Sequence, residues 1–294
     1  MSRILVAAVV GSALSGPVSL NGATIAVPGD FPTISEALGG AAPGDTIALE
    51  PGVYPENLVI TQAVHIFSKT AGAGEIVGQV FEKPVIRIEG VRELCTLRGL
   101  KINGNRRSAA GVEVVNSRLE LVGTEILRTS VGVFFRQSEG RIADNIFRGN
   151  GGGDVRLFGS SPLVAGNRFE SGCSTAIQIM GKKSQPVIGG SRGNGNAFGP
   201  GYETLVVNES KNEINARHNR WNWSATVSMN AEDYPANIRA IYDGFDDGGY
   251  GKVDYRNWVD GESGGKIRRV AIPVVIAVLI VLVIVVRLRA GARA

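Results

Sequence analysis

The 294-residue chain has few of the residues from which metal and redox centres are usually built: two histidines, two cysteines and three methionines. So small a set of imidazole and soft sulfur ligands argues against a copper carrier. Cys95 and Cys173 form no metal or redox motif at their spacing. In the repeat register derived below they fall about three coils apart, hence ~14 Å at roughly 4.8 Å per coil, beyond the reach of a disulfide. Both read as small buried residues. Aromatic residues are scarce at 6%. A single large globular core is therefore not indicated.

A basic body is missing as well, although the net charge is +4 and the pI 9.2. Arg3, Lys266, Arg268, Arg269, Arg287, Arg289 and Arg293 supply seven of the 31 positive charges, leaving 24 against 27 acidic residues and a balance of −3. A nucleic-acid binder carries its excess on the folded domain, so no nucleic-acid partner is expected. The balance is uneven along the chain. Residues 87–192 hold 16 Lys and Arg against nine Asp and Glu, while 23–86 and 193–262 are each at −5. The middle could offer a lateral patch to an acidic polysaccharide.

Glycine, by contrast, is abundant at 40 residues, which suits a fold of many tight turns. Residues 1–22 resemble a signal-peptide region, with Arg3 ahead of the apolar stretch Ile4–Leu14 and small residues around Ala13 and Ser15. Near the other end, Val270–Val286 is 17 uncharged residues interrupted only by Pro273 and flanked by Arg269 and Arg287. As a helix it spans roughly 25 Å, near the lower limit for a bilayer core, so it is expected to cross a membrane once. The basic residues on its two sides balance, and orientation rests on the signal segment. The expected organisation is a signal region at 1–22, a repetitive body at 23–222 and a C-terminal cap at 223–260. A linker at 261–269, the membrane helix at 270–286 and a cytoplasmic basic tail at 287–294 complete it. The body then lies in the periplasm or at the cell exterior.

The body repeats. An apolar column runs Ile102, Leu127, Phe147, Phe169, Phe198 and Trp221 at intervals of 20 to 29 residues. Two residues before its last four members stand Asn145, Asn167, Asn196 and Asn219. Asn tolerates left-handed torsions and can bond to its equivalent one coil away, while the aromatic two residues on stacks inward. A second inward row is Leu97, Val122, Ile142 and Val164. Preceding these are short alternating strands at Val112/Val114, Val133/Phe135, Val155/Leu157, Ile177/Ile179 and Leu205/Val207, with Gly111 and Gly132 as turns ahead of the first two. Periods near 22 residues with no sustained 3.6-residue pattern predict an all-β, single-stranded parallel β-helix, a solenoid whose coils are stable only when stacked. Its open ends need covering.

The segment Ala23–Leu38, then Pro43-Gly44-Asp45-Thr46-Ile47 and Glu50–Asn57, resembles the opening of right-handed parallel β-helix proteins. These include pectin methylesterases and the accessory proteins of nitrous oxide reductase assembly. The resemblance implies a short capping helix around Thr33–Leu38. Asn219–Trp223, Ile238–Asp247 and Gly251–Trp258 are similar to the closing segment of such proteins. It covers residues 23–260 and speaks for fold more than for activity. The motifs of the pectin methylesterases and the Gly-His-Gly segment of polygalacturonases do not occur here. His65 and His218 therefore read as structural.

Between the inward strand residues one outward row runs Glu113, Phe134, Arg156, Gln178 and Val206. One carboxylate in a mixed row cannot assemble a Ca²⁺ site. As a sugar-contacting strip it is better equipped, with Phe134 for stacking and Arg156 and Gln178 for hydrogen bonds. Arg128 and Arg148, with Glu170 between their charges, form a second candidate surface. No cofactor, metal or catalytic residue is implied. The leading expectation is a membrane-anchored binding or scaffold module for a polysaccharide or a membrane-associated protein partner. The alternatives are a polysaccharide lyase, hydrolase or esterase, and an accessory factor for periplasmic metalloenzyme maturation.

Overall fold

The computed structural model describes residues 22–170 and 174–259. The expected signal region apart from Gly22, the linker, the membrane helix Val270–Val286, the basic tail and Cys173 lie outside the described residues. Among the described residues no helix is long and apolar enough to cross a membrane.

The chain winds as a parallel β-solenoid of about seven coils, each passing in turn through three sheets of eight, ten and seven strands. One complete coil shows the logic. Ala110–Val115 lies in the eight-stranded sheet, Arg118–Val122 in the ten-stranded sheet and Glu125–Leu127 in the seven-stranded sheet. Every strand pairs parallel with its counterparts one coil before and after. Val112, Val114, Leu119, Leu121 and Ile126 point into the bore and are fully buried, while Glu113, Arg118 and Glu120 alternate outward. Later strands at Ile241–Tyr242 and Val253–Asp254 extend the eight- and ten-stranded sheets.

The turn between the ten- and seven-stranded sheets explains the Asn repeat. Gly99, Gly123, Asp144, Gly166 and His218 hold φ between +57° and +66° there, so the turn selects Gly or a residue that tolerates left-handed torsions. The residue after each enters the ladder. Asn145 Nδ2 donates to Asn167 Oδ1 at 3.0 Å, Asn167 to Asn196 at 2.9 Å and Asn196 to Asn219 at 2.9 Å. Two residues on, Phe147, Phe169, Phe198 and Trp221 stack with centroids 4.8–5.1 Å apart and planes within 7° of parallel. His218 is thus a turn residue.

Three register assignments shift by one residue. Ile126, not Leu127, stands between Ile102 and Phe147, and Thr124 extends the ladder by donating its backbone N–H to Asn145 Oδ1. Leu121, not Val122, lies between Leu97 and Ile142. Val206 and Asn208, not Leu205 and Val207, continue the inward positions of Ile177 and Ile179, which removes Val206 from the outward row. Each slip falls where two apolar residues adjoin, so hydrophobicity cannot choose the parity. Gly111 and Gly132 lie within strands, not in turns. A Cβ on Gly111 would stand 2.6 Å from Gly132 O, so these glycines permit close approach of coils.

Two helices flank the coils. Helix α1 (Ile34–Gly40) starts at Thr33, whose hydroxyl accepts from Glu36 N, and buries Ile34 and Ala37. Helix α2 (Trp223–Ala231) is N-capped by Asn222 and buries Ala225, Thr226 and Met229.

Candidate functional site

The eight-stranded sheet aligns four of the six expected surface residues. Its register places Val59, Arg87, Glu113, Phe134, Arg156, Gln178, Val207 and Tyr242 in one outward row across successive strands. Two residues further along, Glu89, Val115, Arg136, Phe158, Met180 and Glu209 form a parallel row. Neighbours along a row are separated by the inter-strand spacing of roughly 4.8 Å. The result is a flat strip of alternating aromatic, polar and charged side chains.

Its electrostatics are mostly internal. Arg87 Nη1 donates to Glu113 Oε2 at 2.5 Å and Arg87 Nε to Glu89 at 2.9 Å, while Arg136 Nε lies 3.2 Å from Glu113 Oε1. Glu113 is therefore shared by two guanidiniums. The same Arg136 covers Phe134, 4.2 Å from its ring centroid. Gln178 Nε2 donates to Glu209 Oε2 at 3.1 Å. Arg156 differs. Its Nη2 donates to Gly152 O at 3.1 Å, its Nε is buried without a partner, and no carboxylate among the described residues neutralises it. Beside it Phe158 leaves 47% of its surface exposed. Arg156 is thus the guanidinium of the strip without a carboxylate partner, and Phe158 its most exposed aromatic ring.

The seven-stranded sheet holds the other candidates, so the strip and the arginine pair are separate surfaces. Arg148 lies opposite Leu127 and bonds to Glu170 at 2.6 Å, with Glu125 at 3.5 Å. Arg168 pairs with the same Glu170. Arg128 does not align with Arg148. It follows the strand in a left-handed turn at φ +56°, and its backbone N–H donates to Arg148 O. Glu170 thus neutralises the arginines next to it.

One residue beside the strip escaped the sequence reading. Asp154 is the second residue of the strand Gly153–Phe158, at the outward parity two residues before Arg156, yet it is completely buried. Tyr202 Oη donates to its Oδ2 at 2.6 Å and Asn150 Nδ2 to its Oδ1 at 2.9 Å. Burial raises the carboxyl to about 7, against the opposing pull of the two hydrogen bonds. The usable signal was positional: Gly111, Gly132 and Ala176 occupy the equivalent place in neighbouring coils, and a carboxylate there is out of pattern. Among the described residues no cluster of three or more metal-ligating side chains occurs. His65 faces outward with its Nδ1 buried and unpartnered, and burial lowers its pKa.

Parallel coils, Asn ladder, aromatic stack and lateral strip together define a β-helix of the pectin-lyase-like type. The chain belongs to the family described as "Right handed beta helix region", whose model matches residues 84–239. No curated protein matches it in sequence. Among solved structures it is similar to an alginate lyase from Paenibacillus sp. strain FPU-7, at 15% identity and a TM-score of 0.37, over 79% of this chain and 99% of that one. A pectin methylesterase variant in complex with a hexasaccharide overlaps at 12% identity and a TM-score of 0.36, covering 84% of this chain and 92% of its own. The Erwinia chrysanthemi pectin methylesterase gives 12% and 0.34, over 84% and 91%. Overlap at that level bears on neither substrate nor mechanism.

Proposed function

We propose that the protein is a saccharide-binding β-helix tethered to the outer side of a membrane, with the strip on its eight-stranded sheet as the ligand surface. The observation that carries this reading is the pairing of an exposed aromatic ring, Phe158, with Arg156, a guanidinium that no carboxylate neutralises. Sugar C–H faces stack on aromatic rings, and an arginine fork fits a uronate carboxylate bidentately. Arg87 and Arg136 are already engaged by Glu113, so Arg156 supplies the selectivity for an acidic chain. Helix α1 would close the N-terminal end of the solenoid, and Val270–Val286 would hold the C-terminal end at the bilayer. The protein screened against acidic and neutral glycans should retain uronate-containing chains. Arg156→Ala should lose the uronate-containing chains, and their undiminished retention by that variant would remove the role given to Arg156.

A catalytic reading has one specific observation in its favour. Asp154 titrates near neutrality next to Tyr202 and two residues from Arg156, and displaced pKa values concentrate at active sites. Its complete burial favours a structural role. Incubation with acidic polysaccharides decides between them: release of unsaturated or reducing ends that Asp154→Asn and Arg156→Ala both abolish would replace the binding reading with catalysis.

A further inference from the structure

The outward face of the ten-stranded sheet carries a depression of about 310 Å³, lined among others by Leu94, Arg118, Glu120, Glu139 and Arg141. Two adjacent strands, Arg118–Val122 and Glu139–Ala143, supply the four charges. The register sets Arg118 opposite Glu139 and Glu120 opposite Arg141, so charges of opposite sign alternate both along and across the strands. Gly140, between Glu139 and Arg141, holds φ +134° and can carry no side chain, because a Cβ would stand 1.9 Å from Leu119 O.

Opposite charges at this adjacency pair elsewhere on the solenoid, as Arg87 and Glu113 do at 2.5 Å. Here they do not. Among the described residues Arg118, Glu120 and Glu139 form no ion pair, and Arg141 reaches a carboxylate only at Asp144, 3.8 Å away. Arg141 Nε is moreover buried without a partner. Two guanidiniums and two carboxylates are held around a hollow, and a buried N–H without a partner is a donor waiting for an acceptor.

We propose that this depression is a second ligand site, specific for a neutral sugar ring. A hydroxyl both donates and accepts, so ring hydroxyls on successive carbons satisfy carboxylate acceptors and guanidinium donors together. A uronate would meet Glu120 and Glu139, and a cation would meet Arg118 and Arg141. A zwitterion such as an amino acid engages one Arg–Glu pair, whereas a hydroxylated ring reaches both. Leu94 offers an apolar edge to the C–H face of the ring. The volume lies at the lower end of small-ligand pockets, suited to a single sugar unit. The site lies on a different sheet from Arg156 and Phe158 and does not depend on them.

The test titrates the full-length protein in detergent with neutral glucose- and mannose-based pentasaccharides, with trigalacturonate and with glycine, by calorimetry and by amide chemical shifts. Neutral saccharide should shift amides in 94–98, 118–122 and 139–143. Glu120→Gln and Arg141→Gln should each weaken it about tenfold, the loss of roughly one charge-assisted hydrogen bond, with melting temperature unchanged. Phe158→Ala should leave this binding intact, which separates the site from the strip. The proposal is overturned if no neutral saccharide binds, if binding survives both substitutions, or if glycine or trigalacturonate shifts the amides of 94–98, 118–122 and 139–143 at lower concentration than the neutral saccharide does.

Discussion

At Asp154 burial decides the protonation state, and the consequence is a pH dependence of stability. The folded carboxyl titrates at about 7, against an ordinary value of 3.8. A group whose folded pKa is raised binds its proton more tightly when folded. Its contribution is complete below pH 3.8 and is lost as pH rises through 7. Over that window the loss amounts to roughly 4 kcal/mol at most. Asp154→Asn keeps an acceptor for Tyr202 and cannot ionise. Relative to the parent it should flatten the fall in melting temperature between pH 4 and 8 and be the more stable form at pH 8. Parallel melting curves for the two proteins would show that Asp154 is not the group responsible.

Asn167, in the middle of the ladder, has every polar atom of its side chain engaged. Its amide donates to Asn196 Oδ1 and to Ile142 O, and its Oδ1 accepts from both the backbone and the side chain of Asn145. Asn167→Ala leaves several buried groups without partners and should cost ~2–4 kcal/mol in denaturant melts, more than a single lost hydrogen bond. This ladder was legible because Asn-x-aromatic recurs in four coils. Asp154 stood out of pattern in its column, but its burial was not legible, since nothing in the local sequence reports that Tyr202, 48 positions away, covers it.

At the scale of the element, the strands and their inward residues followed from alternation, and failures occurred only where Leu121-Val122, Ile126-Leu127 and Val206-Val207 put two apolar residues side by side. A second ladder went unread. At the turn between the eight- and ten-stranded sheets, Ser117 N donates to Ser138 Oγ at 3.1 Å, Ser138 N to Ser160 Oγ at 3.0 Å and Ser160 N to Ser184 Oγ at 3.2 Å. Serine is common on surfaces, so its recurrence carries less signal than Asn before an aromatic. The aromatic stack yields a prediction of its own. Phe169 touches rings on both sides, and Phe169→Ala should cost ~3–5 kcal/mol through the cavity it opens. Phe169→Leu should recover much of that in the same chemical denaturation series. Equal losses for Ala and Leu would assign the stability to ring stacking and not to volume.

For the whole molecule, the basic pI belongs to the chain ends and the body is slightly acidic, so in the proposed function the lateral surfaces and not the net charge select the ligand. The recurrence of Asn-x-aromatic near every 22 residues revealed the repeat, and the stacked coils supply the rows on which both proposed ligand surfaces lie. The tether has a direct check. Full-length protein should sediment with membranes and resist carbonate extraction, while a chain ending at residue 260 should be released into the soluble fraction. Sedimentation of the shortened chain would place membrane attachment in the solenoid itself.

The measurement that bears most directly on the proposed binding function is calorimetric titration of a uronate oligosaccharide into the parent protein, Arg156→Ala and Phe158→Ala. Because both side chains point outward from the same sheet, the substitutions should leave the melting temperature nearly unchanged. The account predicts saturable binding that each substitution weakens by about tenfold or more, as expected when one charge-assisted hydrogen bond or one stacking contact is lost. Unaltered affinity in both variants, or no binding at millimolar ligand, would contradict it.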